Sequence, residues 1–393
     1  MPKQADFIGR SGKSARKSLQ KREACQMLHC GMPIRTIAER QMTDAELPIN
    51  LALQGGGAHG ALAWGVLDRL LEEPRLRITE ISGASAGAMN AVVLAQGMEV
   101  GGRQGARDAL SAFWKAVSRA ARFSPIQRSY WDRVRGSFSL DASPGYLISE
   151  TLSRIFSPYQ LNPFDINPLR AVLKQAVDFD AVNRSQVRLH VTATNVRTGQ
   201  PRIFSSGEIT VEAVMASACL PLMYHAVEID GEAYWDGGFS ANPALTPLIL
   251  DSKVVDVLIV QLNPLRREEL PRTAREIINR MNEISFNTSL VKELRALSTL
   301  GRMIDEGIVT LTEGNDLRLH LIHGEADLQE LSASSKLNAE WAYLQDLFAR
   351  GRIWADDWLA KNLDQVGKRS TFSVDELMSI PQRPAGLAPL RDK

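Results

Sequence analysis

Residues 48–97 read PINLALQGGGAHGALAWGVLDRLLEEPRLRITEISGASAGAMNAVVLAQG. The apolar run Ile49–Leu53 stops at glycines, as a buried parallel strand would. Gly55-Gly56-Gly57-Ala58-His59-Gly60 then leads into a helix whose Leu62, Val66, Leu67, Leu70 and Leu71 fall at helical spacing and which Pro74 closes. Leu76–Ser82 supplies a second strand, and Gly83-Ala84-Ser85-Ala86-Gly87 opens an Ala-rich helix over residues 86–96. Strand, helix and strand in so short a span form a βαβ unit with a right-handed crossover, hence a parallel pair. Two glycine-bearing turns, each at the carboxyl end of a strand, aim at one place.

Outward from this stretch, 393 residues can bury one large α/β core with additions. The formal charge of +1 gives no global attraction to nucleic acid, and none is expected as a partner. No apolar run approaches a membrane span, and the N-terminus lacks the apolar core and cleavage site of a secretory leader, so a cytoplasmic location is expected. Of the three cysteines, Cys25, Cys30 and Cys219, one stays unpaired if the others bond, which suits a reducing compartment. Cys25 and Cys30 flank His29 but lack a second Cys/His pair at finger spacing, so no metal site is expected.

Residues 1–46 form a basic arm, read either as a solvated tail or as a contact for an anionic membrane or granule surface. Residues 47–262 carry the core pattern. Within them, 100–183 is a Pro-broken, aromatic-rich helical stretch, read equally as a lid or acyl-chain pocket and as layer packing. Val187–Val196 and Arg202–Ser205 suggest a hairpin, and Val254–Leu262 the next buried strand. Residues 263–365 are a mainly helical extension with one strand, Leu317–Ile322. Its first helix carries a stripe of Ile277, Met281, Ile284, Val291, Leu294 and Leu297, a core face or an interface between copies. Two helical segments joined near Gly351 follow, then a Pro-containing tail over 366–393.

Gly83-x-Ser85-x-Gly87 between a strand and a helix has the nucleophile-elbow pattern. A serine there sits in strained backbone with Oγ exposed, and the helix aims its N-terminal N–H groups at it. The Gly55, Gly56 and Gly57 amides suit an oxyanion hole, because successive glycines expose N–H groups that can converge on one charge. Ala86, first on the helix after the nucleophile, adds a further amide. The same turn also fits the dinucleotide fingerprint Gly55-x-Gly57-x-x-Gly60 with acidic Glu80 downstream, but Glu80 lies inside the second strand and the serine motif goes unexplained. For the base, Asp236 at a strand end before Gly237-Gly238 leads. His320 and His323 would give the chain order of a Ser–Asp–His triad, although His320 alternates within a strand and reads as structural.

Together these residues resemble the patatin-like phospholipase family. The shared motifs are the glycine turn Gly55–Gly60, the elbow Gly83–Gly87, the block Ala216-Ser217-Ala218-Cys219-Leu220-Pro221 and Asp236-Gly237-Gly238, in family order. The resemblance implies an α/β fold with a mainly parallel central sheet flanked by helices, a Ser85–Asp236 dyad, no cofactor, and hydrolysis of lipid acyl esters. One position departs: the basic residue of the family's turn is His59 here. A neutral ester, or a preference that changes where histidine charges near pH 6.5, then enters beside phospholipids. The extension is similar to that of a bacterial subgroup linked to polyhydroxybutyrate metabolism. A granule- or lipid-binding protein with a vestigial site is the alternative from another class.

Overall fold

The computed structural model describes residues 46–308 and 317–378. The basic arm up to residue 45, with Cys25, His29 and Cys30, and the tail from residue 379 lie outside the described residues.

Among the described residues, eight strands build one mixed sheet. They are β1 (Leu47–Leu53), β2 (Leu76–Ala84), β3 (Arg188–Asn195), β4 (Pro201–Ser205), β5 (Val227–Ile229), β6 (Glu232–Asp236), β7 (Asp256–Val260) and β8 (Arg318–Ile322). The order is β5-β6-β3-β2-β1-β7-β8, with β4 on β3. β3, β2, β1, β7 and β8 run parallel, while β4, β5 and β6 add antiparallel pairs at one side. Five helices matter most for the site: α1 (Gly60–Glu72), α2 (Ala86–Ala121), α3 (Val211–Ser217), α4 (Ala274–Asp305) and α5 (Trp341–Asn362). Among the described residues no helix is long and apolar enough to cross a membrane.

Alternate residues of a strand face opposite ways, yet Leu51, Ala52 and Leu53 are all fully buried, so both faces of the sheet are covered. Leu51 and Leu53 join the larger apolar cluster with α1, α2 and α5, whereas Ala52 joins Val257, Ile259 and the α4 residues Leu290 and Leu294. The result is a sheet between two helical layers. α1 and α5 touch backbone to backbone, since a side chain at Gly65 would strike Phe348 and one at Gly351 would strike Leu62. Strand β8 and helix α5, from the C-terminal extension, are thereby part of the central layers.

Three sequence readings change. α5 is one continuous helix through Gly351, because that glycine is where it crosses α1 rather than where it ends. The stripe on α4 divides: Leu294 is buried, but Ile277, Met281 and Ile284 are 43–63% exposed, because only the later half of the helix lies on the sheet. The tail begins later than residue 366. Thr371 N–H donates to Leu319 O of β8, and Val374 packs into the smaller cluster, so the chain just past residue 366 still belongs to the folded layers. The aromatic-rich stretch also divides, with Phe113, Trp114 and Tyr146 buried and Phe123, Tyr130, Trp131 and Phe164 exposed.

The register of β3 is what positions the site. Ala84 of β2 pairs with Thr192, and Asp236 of β6 pairs with the next residue, Ala193. β4 pairs with residues 190–194 of β3 and so occupies its other edge. β6 therefore takes over where β2 stops. On the far side, Leu53 of β1 pairs with Gly83 of β2 and Val260 of β7, which sets three carboxyl ends side by side. Such an edge is where open α/β sheets bind ligands.

Candidate active site

Ser85 leaves β2 with φ 54° and ψ −123°, then α2 begins at Ala86. A positive φ is costly for a residue with a Cβ and persists only where the surroundings impose it. Here Ser85 N–H donates to Ser217 Oγ at 2.9 Å, from the fully buried end of α3. Ser85 itself is only partly buried, while Ala84, Ala86 and Gly87 around it are buried. Its hydroxyl is thus presented at the start of a long helix whose first N–H groups have no acceptor within the helix.

The glycine turn after β1 lies against this elbow. A Cβ on Gly55 would sit 2.7 Å from Ser85 Cβ and 2.8 Å from Ala84 O, so only glycine lets the two turns meet. Gly55 N–H donates to Asn242 Oδ1 at 2.7 Å, and Gly55 O accepts from Asn263 Nδ2 at 2.9 Å. The Gly55 amide, expected among the oxyanion donors, is therefore turned to Asn242. Gly56 precedes a short 3-10 turn, Gly57–His59, in which Gly57 has φ 59°. The Gly57 amide opens that turn and has no acceptor within it. Of the amides expected as oxyanion donors, those of Gly56, Gly57 and Ala86 then remain.

Asp236 is fully buried at the end of β6. Its backbone is fixed twice: its N–H donates to Cys219 O at 2.8 Å, and its O accepts from Thr194 Oγ1 at 2.7 Å. Oδ1 accepts from Gly238 N–H at 2.7 Å, while Oδ2 has no hydrogen-bond partner of normal geometry. The Ser85 hydroxyl is near enough to favour the carboxylate, together with Gly238 N–H and the charge of Lys336. Removal from water outweighs all three and pushes the Asp236 pKa up to about 7.

Residues 216–221 have a structural role that no residue-type pattern gave. Ser217 holds the Ser85 amide and Cys219 holds the Asp236 amide, so one short segment clamps both residues. Asn242, Gln54 and Asn263 were likewise not anticipated. Gln54 Oε1 accepts from the Leu262 and Asn263 amides at 2.9 and 3.0 Å, fixing the end of β7 against the glycine turn. In sequence, Gln54 and Asn263 lie just beyond the ends of β1 and β7, and Asn242 lies in the loop after the Asp236 motif.

His59 is in the turn but 2% exposed, and its ring faces the C-terminal extension. Nε2 lies 2.8 Å from Ser335 Oγ, which also accepts from Tyr343 OH at 2.9 Å. Burial and the cations Lys336 and Arg267 hold its pKa well below 6.5. The change in preference expected near pH 6.5 therefore does not arise from this ring, which stays neutral there. His320 is placed between Asp256 Oδ1 and Thr371 Oγ1, each at 3.0 Å, on the opposite side of β1 from Ser85 and Asp236. His323 is partly exposed beside Glu325, at the end of the same edge strand β8. The structure brings neither histidine to the Ser85–Asp236 pair.

The sequence profile of the family described as patatin-like phospholipase matches residues 51–249, half of the chain. Among solved structures, VipD from Legionella pneumophila matches at 15% identity and a TM-score of 0.35, over 78% of this chain and 67% of VipD. ExoU from the type III secretion system of Pseudomonas aeruginosa, solved in complex with SpcU, matches at 15% identity and a TM-score of 0.27. That alignment covers 78% of this chain and 53% of the other. No curated protein matches the chain.

Proposed function

We propose that this chain, which belongs to the patatin-like phospholipase family, is a lipid acyl-ester hydrolase working through Ser85 and Asp236. Ser85 Oγ attacks the ester carbonyl carbon as its proton passes to Asp236 Oδ2. The carbonyl oxygen becomes an oxyanion held by the Gly56, Gly57 and Ala86 amides. Such donors are each worth about 3–4 kcal/mol of barrier when aimed in advance. The intermediate collapses, the alcohol leaves with the proton from Asp236, and an acyl-Ser85 ester remains. Asp236 then takes a proton from water, the resulting hydroxide attacks the acyl carbon, and Ser85 recovers its proton as the acid departs.

The observation that carries this reading is Asp236 beside the strained elbow, buried, with one carboxylate oxygen unpartnered and a pKa about 7. A base poised near neutrality both accepts and returns a proton readily. We further propose that the exposed Tyr130, Trp131, Ile148 and Phe164 of the helical stretch touch the lipid surface from which substrate is drawn. The decisive test is labelling by a fluorophosphonate with a panel of phospholipid and neutral esters. Wild type should react and turn over, and Ser85→Ala should do neither. A correctly folded wild type that neither labels nor hydrolyses any ester would favour a binding protein with a vestigial site.

A further inference from the structure

The glycine turn has a cation beside it that comes from the far end of the chain. The turn's own side chain, His59, is buried, neutral and engaged with Ser335, so it supplies no charge to a substrate. The next residue of the extension, Lys336, presses on Gly57: a Cβ there would lie 2.5 Å from Lys336 O and 3.4 Å from Lys336 Cβ. From that contact the Lys336 side chain reaches Asn263, with Nζ 2.6 Å from Oδ1. Asn263 in turn holds Gly55 O. The lysine thus spans the turn from Gly57 to the group that anchors Gly55.

An ammonium has three N–H donors. One of these is met by Asn263, and among the described residues no carboxylate lies within ion-pair distance of Nζ. Glu283, whose charge reaches Lys336, is already paired with Arg267 and Arg280 at 2.6 and 3.1 Å. Arg267 repels the lysine, and Asp236 attracts it without touching it. A partly buried cation left with open donors is costly unless an anion arrives to meet it. Among the described residues no carboxylate meets those donors.

We propose that Lys336, braced by Asn263, forms an anion subsite beside the oxyanion turn that receives a phosphate or carboxylate carried by the ester substrate. This rests on the hydrolase reading above. Its consequence is a substrate class: acyl esters with an anionic group near the scissile bond, favoured over neutral esters of the same shape.

The test compares kcat/KM for three matched esters, one neutral, one ending in a carboxylate and one in a phosphate, using full-length wild type, Lys336→Met, Lys336→Arg and Ser85→Ala. Lys336→Met should lower the anionic-to-neutral ratio about ten- to a hundred-fold, the worth of a hydrogen bond to a charged group. Lys336→Arg should keep most of the ratio, and the two anionic esters show which anion the subsite prefers. An unchanged ratio in Lys336→Met overturns the subsite while leaving the hydrolase reading intact. No turnover of any ester by wild type, with Ser85→Ala indistinguishable, sinks both. If Lys336→Met fails to fold, wild type alone decides. Burial lowers the Lys336 pKa to about 8, so the ratio should fade as pH rises through that value. Asp236 acts on both esters alike and cancels, His59 stays neutral, and Glu283 keeps its charge. A ratio flat across that window overturns the proposal.

Discussion

Ala84 and Asp236 follow one another along the same edge of β3, the first opposite Thr192 and the second opposite Ala193. Residues more than a hundred and fifty positions apart thus become neighbours because two strands share one template, about one strand step, 3.3 Å, apart. Ser85 is the residue after Ala84. The closeness of Ser85 and Asp236 is a consequence of sheet register, with β2 and β6 running in opposite senses and meeting end to end.

Asp236→Asn separates chemistry from stability. The amide cannot accept the serine's proton, so turnover should fall by about 10²–10⁴-fold. In the folded protein the carboxyl pKa is raised from 3.8 to about 7, so unfolding releases its proton over that interval. The burial cost is absent below pH 4, grows as pH rises to 7 and is full above it, on the order of 4 kcal/mol. The variant should therefore gain thermal stability over wild type at pH 8 and not at pH 4. Melting curves at the two pH values check this, and a variant less stable than wild type at pH 8 would contradict the burial assignment.

The acid limb of kcat/KM on a neutral ester should rise with pH through about 7, as Asp236 becomes the free base. His59 adds no inflection, because its pKa lies well below 6.5. A profile that rises near pH 4 instead would mean a solvated carboxylate and a different base.

Gly55→Ala should nearly abolish turnover. Its Cβ would fall 2.7 Å from Ser85 Cβ, closer than carbon atoms tolerate, so the two turns must separate. Displacing oxyanion donors by a few tenths of an ångström to an ångström costs about 10²-fold or more. Fluorophosphonate labelling rates, compared with wild type, measure the loss directly.

Ser217→Ala leaves the Ser85 N–H without its buried acceptor. The desolvation penalty of such an orphan is about 1–3 kcal/mol. The elbow should relax, lowering both the melting temperature and kcat. Ser217→Thr, which restores a hydroxyl, should recover part of each, and equal behaviour of the two variants would remove Ser217 from the support of the nucleophile.

Tyr343→Phe tests the tether of the C-terminal extension. It removes only the bond to Ser335 Oγ, worth about 1 kcal/mol, and leaves the ring in place. Stability should drop by that amount, with labelling of Ser85 slowed, because Ser335 also holds His59 of the glycine turn. Denaturant unfolding and labelling rates together give the answer.

Much of the fold was legible because local chemistry fixed it. Apolar runs ended by glycine marked β1 and β2, and helical spacing marked α1. The elbow and glycine turn belong to one βαβ unit, so their closeness follows from short-range connectivity and a parallel register. Lys336 and Asn242 were not legible, since neither sits in a motif and each reaches the turn from a distant segment. α4 misled for a related reason: an apolar stripe states which face is hydrophobic, and only the sheet's extent states how much of it is covered.

By itself, then, the sequence determined a parallel α/β core, a strained serine between a strand and a helix, and a glycine turn beside it, because these depend on backbone sterics and neighbouring residues. Tertiary structure decided the rest. The β3 register brings Asp236 to Ser85, and burial of that carboxyl raises its pKa. The Asn242 side chain turns the Gly55 amide away. The extension neutralises His59 and lays Lys336 along the turn, through contacts whose partners lie hundreds of residues apart. Desolvation and Coulomb forces depend on where groups end up in space, and no spacing along the chain encodes that.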